Sequence, residues 1–119
     1  MSRILLVEDD EFIRRMINMR LQLRGHEIDS AVNGEEAFNK AQSNSYDLIL
    51  MDMHMPVMDG HEATQSLREK GYGGLILAVT ASATSADCEK AIKSGCNGYI
   101  SKPIGADFED RVGELLVRN

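Results

Sequence analysis

The sequence predicts an α/β domain in which helices cover both faces of a parallel sheet. Three observations predict it. First, the short runs Ile4-Leu5-Leu6-Val7, Leu48-Ile49-Leu50-Met51 and Leu75-Ile76-Leu77-Ala78-Val79 are apolar at odd and even positions alike. A strand buried on both faces reads this way, as in parallel sheets. Second, the intervals between the runs carry helical periodicity. Third, strand and helix patterns alternate five times, which implies right-handed crossovers onto one sheet.

Each element has its own signal. Ile13, Met16, Ile17 and Leu21 share one helical face and predict a helix from about Glu11 to Arg24, ended by Gly25. A weaker strand pattern runs from Glu27 to Val32. Asn33 with Glu36 resembles a capping pair for a helix that turns Ala37, Phe38 and Ala41 inward. Beyond the central apolar run, Asp59 and Glu62 open a helix with Ala63 and Leu67 inward. Thr84 or Ser85 opens the next, with Ala91 and Ile92 inward and Gly95 closing it. Gly98 to Ser101 is a weak strand candidate, and Phe108, Val112, Leu115 and Leu116 mark a last helix. The pattern fills residues 1–119, so a single domain is expected. Met16, Met19, Met51, Met53, Met55 and Met58 read as packing residues.

Composition narrows the function classes. Thirteen basic against nineteen acidic residues leave a net charge of −6, which disfavours a generic nucleic-acid grip. No apolar run approaches a membrane span, and the N-terminus lacks the shape of a signal peptide. Cys88 and Cys96 form neither a disulfide framework nor a zinc motif, so a reducing cytoplasm is expected. His26, His54 and His61 lack metal-ligand spacing and read as surface or loop residues.

In open α/β sheets, ligands bind beyond the carboxyl ends of the strands. The residues there are Glu8, Asp9 and Asp10 after the first run, Asp52 after the third strand, Thr80 after the fourth, and Ser101, Lys102 and Pro103 after the fifth. Converging carboxylates repel unless protonated or metal-bound. Oxygen ligands of this kind suit Mg²⁺. Lys102 suits an anionic group beside that cation, such as a phosphoryl oxygen, and Thr80 could donate a hydrogen bond to it. Asp52 is then the natural nucleophile, and its attack on phosphorus would give an aspartyl phosphate. Any one of these residues alone could be a turn or cap, a reading that Asp10 and Asp59 keep.

At these residues the chain resembles a response-regulator receiver domain over essentially its full length. The motifs are Leu6-Val7-Glu8-Asp9-Asp10, the stretch from Met51-Asp52-Met53-His54 to Met58-Asp59-Gly60, Val79-Thr80-Ala81 and Tyr99-Ile100-Ser101-Lys102-Pro103. The resemblance implies a flavodoxin-like, doubly wound five-stranded sheet in order 2-1-3-4-5, with five helices. It implies Asp52 as phosphoacceptor, Asp9 as a direct Mg²⁺ ligand and Glu8 acting mainly through water, with Asp10 the rival should the register slip. Mg²⁺ would also take an Asp52 oxygen and the His54 backbone carbonyl. Thr80 resembles the switch hydroxyl, Tyr99 the switch aromatic and Lys102 the phosphate-contacting lysine, with Lys102-Pro103 a candidate cis bond. His54 and Ser82 would line the entrance to the phosphate. The motifs look most like receivers attached to hybrid histidine kinases.

The implied function is a phosphorelay switch. A histidine kinase or histidine phosphotransfer protein would load Asp52, and the fourth helix, fifth strand and fifth helix would signal to an output protein or domain. Ile13, Ile17 and neighbouring residues of the first helix are candidates for docking the donor, although their default reading is core. Three rivals are weaker. A Mg²⁺-dependent phosphohydrolase needs a second carboxylate, often two residues after its nucleophile, where this chain has His54. A flavin or nucleotide carrier needs a first loop that welcomes phosphate, and this one is acidic. A degenerate receiver serving only as a binding module would not need all the site residues. A switch domain rather than a turnover enzyme is expected.

Overall fold

The computed structural model describes residues 2–55, 57–81 and 84–118. Strands and helices alternate as β1 (Arg3–Val7), α1 (Glu11–Gln22), β2 (Glu27–Ala31), α2 (Gly34–Ser43), β3 (Leu48–Asp52), α3 (Gly60–Glu69), β4 (Leu75–Thr80), α4 (Ser85–Ser94), β5 (Gly98–Ser101) and α5 (Phe108–Arg118). The strands form one parallel sheet in the order β2-β1-β3-β4-β5.

Strand parity divides the core in two. Leu5, Val7, Ile49, Met51, Ile76 and Ala78 point to one face, where Ala37 and Ala41 of α2, Ala63 and Leu67 of α3 and Ala91 of α4 pack. Ile4, Leu6, Leu48, Leu50, Leu77 and Val79 point to the other, against Ile17 and Leu21 of α1 and Phe108 and Val112 of α5. This division explains why the apolar runs do not alternate. Each fully buried Leu or Ile contributes about 1.5–3 kcal/mol, and every residue of β3 is buried.

The helix starts follow the capping chemistry of the sequence. Asp10, Asn33, Asp59 and Thr84 each accept a hydrogen bond from the backbone N–H three residues on. Thr84, not Ser85, is therefore the cap of α4. Gly95 ends that helix with φ 116°, a conformation that favours glycine.

Four expectations need correction. Helix α1 stops at Gln22 rather than Arg24, because Arg24 N–H and Gly25 N–H bond three residues back and tighten the chain into a turn. Strand β2 ends at Ala31, leaving Val32 exposed. Met19 is exposed rather than packed, since it sits two positions from buried Ile17 and so on the opposite side of the helix. Ile92 is also exposed: Cys88 and Ala91 take the inward positions of α4.

Candidate functional site

The carboxyl ends of β1, β3 and β5 deliver the site. In β1 the parallel pairing runs to Val7↔Met51 on the β3 side and Val7↔Ala31 on the β2 side, and Glu8 N–H extends the β2 side by donating to Ala31 O at 3.0 Å. Glu8 is thereby drawn inside and is 2% exposed, while Asp9 emerges into solvent. Asp52 is the last residue of β3 and is 3% exposed. Carboxylate oxygens of Glu8, Asp9 and Asp52 lie within 4.8 Å of one another, the metal-compatible cluster found among the described residues.

Lys102 reaches this cluster from beyond β5. Its Nζ stands 2.8 Å from Glu8 Oε1 and 3.4 Å from Asp52 Oδ2. A backbone bond holds it there, with Lys102 N–H donating to Thr80 O at 2.7 Å. The Lys102-Pro103 peptide is cis, as the resemblance implies. The second Asp52 oxygen, Oδ1, accepts from His54 N–H at 3.1 Å. Asp52 therefore has one oxygen fixed by a backbone donor and one turned to a cation.

The charges at the site do not balance. Burial pushes Glu8 up to about 7; Lys102 opposes the rise and Asp52 adds to it. Burial also works against the Lys102 ammonium, yet Glu8 and Asp52 more than offset it and hold Lys102 above its ordinary range. One half-buried ammonium beside Asp9, Asp52 and a partly protonated Glu8 still leaves negative charge to be neutralised. A hard divalent cation fits this oxygen donor set, and exposed Asp9 leaves a side open to water.

A close approach behind Asp52 shapes the loop. Gly60 opens α3, and a Cβ there would stand 2.2 Å from Asp52 O and 2.8 Å from Met53 Cα. Only glycine permits that contact.

The family model for the response regulator receiver domain matches residues 4–109. The chain belongs to that family. It is thus a phosphoacceptor switch domain of two-component signalling. The receiver is 38% identical over 122 residues to the two-component response regulator ORR41 of Oryza sativa subsp. japonica, covering 99% of this chain and 94% of the rice protein. It is 38% identical over 109 residues to the osmosensing histidine protein kinase SLN1 of Saccharomyces cerevisiae, covering 86% of this chain but only 9% of the kinase. Stand-alone and embedded receivers thus match at equal identity. Among solved structures, the receiver domain of the sensor histidine kinase PA1611 from Pseudomonas aeruginosa superposes with a TM-score of 0.86 at 34% identity, covering 98% of this chain and 95% of that one. That structure has a magnesium ion coordinated in its active-site cleft.

The receiver's remaining sequence candidates fall as follows. Thr80 ends β4, is 3% exposed and pairs with Ser101, one step beyond the Asp52↔Val79 pair. Tyr99 lies on β5, is 42% exposed and stands beside Cys88 of α4, whose thiol holds the phenol above its ordinary range. Asp10 caps α1 through a bond from Ile13 N–H, so its carboxylate is engaged away from the cluster. The His54 side chain is exposed. Ser82 and Pro56 lie outside the described residues. Ile17, expected as a docking candidate, is core at 1% exposure.

Two residues near the site were not singled out by name in the sequence, although Phe12 falls among the first-helix neighbours of Ile13. Phe12 is 78% exposed and, with Ile13, Met16, Pro103 and Ile104, lines an apolar cleft beside Lys102. Its exposure was not visible because Phe12 neighbours the inward face by only one position. Arg14 donates to the backbone carbonyls of Glu8 and Asp9, contacts that leave no sequence signature. No helix among the described residues is long and apolar enough to cross a membrane.

Proposed function

We propose that this receiver takes a phosphoryl group from a partner histidine onto Asp52 in a Mg²⁺-dependent reaction and thereby changes its output surface. The observation that carries the reading is the convergence of Glu8, Asp9 and Asp52 with Lys102 at one sheet edge. Asp9 and Asp52 would hold the cation directly, with the His54 carbonyl, and Glu8 would act mainly through water. When bound, Mg²⁺ supplies charge neutralisation at the phosphoryl oxygens.

The chain's own residues do the rest. An Asp52 carboxylate oxygen attacks phosphorus, the donor's phosphorus–nitrogen bond breaks, and the imidazole leaves with its electron pair and takes up a proton. The His54 N–H on Oδ1 limits rotation of the nucleophile, which favours an aligned approach. Lys102 offsets the charge that spreads over the transferring group. The product adds about 1.5 to 2 negative charges. Thr80 turns to that charge, Tyr99 moves inward, and α4 with β5 and α5 follow as the output face. A change of this kind shifts an existing equilibrium by its differential interaction with two states.

The partner histidine belongs to a histidine kinase or a histidine phosphotransfer protein. Its docking place is the apolar cleft of Phe12, Ile13, Met16, Pro103 and Ile104, which opens beside Lys102. The setting is cytoplasmic, the domain spans residues 1–119, and the domain is a switch rather than a turnover enzyme. The test is labelling with a small acyl phosphate. One phosphoryl group should add with Mg²⁺ and none after chelation, and the adduct should be lost to hydroxylamine. An adduct that forms equally in chelator, or that resists hydroxylamine, contradicts the proposal.

A further inference from the structure

We propose that Arg14 is a positioning residue for the cation site: it fixes the direction of the Asp9 carboxylate by holding the two peptide planes on either side of it. The inference rests on the cation site proposed above.

Arg14 sits one turn into α1, where its N–H donates to Asp10 O. A helical side chain leans toward the helix N-terminus, so the Arg14 guanidinium falls back over the loop between β1 and α1. There Nη1 lies 3.0 Å from Glu8 O and 3.5 Å from Asp9 O. The Glu8 carbonyl belongs to the peptide plane before the Asp9 α-carbon, and the Asp9 carbonyl to the plane after it. Together these planes set φ and ψ of Asp9, and hence where its side chain points. The loop has two further anchors, Glu8 N–H on Ala31 O and Asp10 N–H on Glu8 Oε2 at 3.2 Å. The first holds the peptide before Glu8, and the second shares with Arg14 the plane that follows Asp9, leaving the Glu8–Asp9 plane to Arg14 at 3.0 Å. Arg14 is the side chain that grips the carbonyls of Asp9 and its predecessor, and Asp9 is the exposed member of the cluster.

Position and charge make opposite demands here. Arg14 is a permanent cation near a site for a cation. On charge alone, its removal should tighten Mg²⁺ binding. If it positions Asp9, its removal should weaken binding, because an outer partner that orients a metal ligand typically contributes an order of magnitude or more in affinity. The planar guanidinium offers a fork of donors that a lysine ammonium does not reproduce.

The experiment is a titration of the full chain with Mg²⁺ alone, followed by calorimetry and amide chemical shifts. Wild type, Arg14→Gln, Arg14→Lys and Arg15→Gln are compared, each first shown folded by its urea transition. Arg14→Gln is expected to bind Mg²⁺ about tenfold more weakly. Arg14→Lys should recover only part of the loss, and should serve alone if the glutamine variant fails to fold. Arg15, which is exposed and paired with Glu11, controls for loss of one positive charge, and Arg15→Gln should bind like wild type. Binding by both Arg14 variants equal to or tighter than wild type overturns the inference while leaving the cation site standing. No Mg²⁺ binding by wild type overturns the cation site, and the role of Arg14 with it.

Discussion

Gly60→Ala tests how the end of β3 is shaped. Two effects oppose each other. Alanine is the better helix former by about 0.5–1 kcal/mol in helix interiors, so propensity alone predicts a more stable protein. Against that, the new methyl would stand 2.2 Å from Asp52 O, 2.6 Å from Met53 Cε and 2.8 Å from Met53 Cα. The methionine tip can turn aside, but the two backbone atoms cannot. Strand and helix must separate by roughly 1 Å or more to restore ordinary contact. Overpacking of this kind costs about 1–3 kcal/mol. The net expectation is a loss of about 1–2 kcal/mol, which lowers Tm by roughly 4–8 °C for a domain of this size. The strain falls on the peptide of Asp52 itself, so labelling by an acyl phosphate should slow by about 10-fold or more. Urea unfolding and initial labelling rates, measured on the same preparations, report both effects. A variant as stable as wild type that labels at the same rate would refute the reasoning.

Three further outcomes are expected. Val57 has φ 70° and is 75% exposed, so Val57→Asn should relieve a strained β-branched residue without losing burial and stabilise the domain by about 1 kcal/mol in urea unfolding; a loss of stability would argue against that strain. Burial raises the Asp29 carboxyl, but the Tyr46 hydroxyl and Lys40 ammonium outweigh it and hold Asp29 below its ordinary value. The stability this contributes is present above about pH 4 and is lost as pH falls through the lowered value. Asp29→Asn should therefore flatten the acid limb of a stability–pH profile, and an unchanged limb would remove Asp29 from the account. Thr80→Ala should still label but lose most of the phosphorylation-induced shift at α4 and Tyr99 in amide spectra; failure to label despite normal folding would show that Thr80 acts in transfer itself.

Asp52, Thr80 and Lys102 were legible because each closes or directly follows a strand, and a parallel sheet gathers such positions at one edge. The two-sided burial of β1, β3 and β4 was legible from their unbroken apolar runs. Strand order was not: periodicity shows which residues face inward but not which strands are neighbours, and the order came through the receiver resemblance. Helix edges were also hard to read. Ile92 and Met19 are apolar yet exposed, because an apolar side chain does not reveal whether a neighbouring element covers it. Arg14 was hidden for another reason. Its partners are backbone carbonyls, whose positions depend on the fold rather than on the side chains that carry them.

The central claim is that Asp52 is the residue phosphorylated. Its most direct test is intact-mass measurement of wild type and Asp52→Asn after incubation with an acyl phosphate and Mg²⁺. Wild type should gain the mass of a single phosphoryl group, and Asp52→Asn should gain none while keeping the wild-type fold. A phosphoryl adduct on folded Asp52→Asn would place the acceptor elsewhere. Absence of any adduct on wild type, from acyl phosphates and from phosphohistidine donors alike, would contradict the account outright.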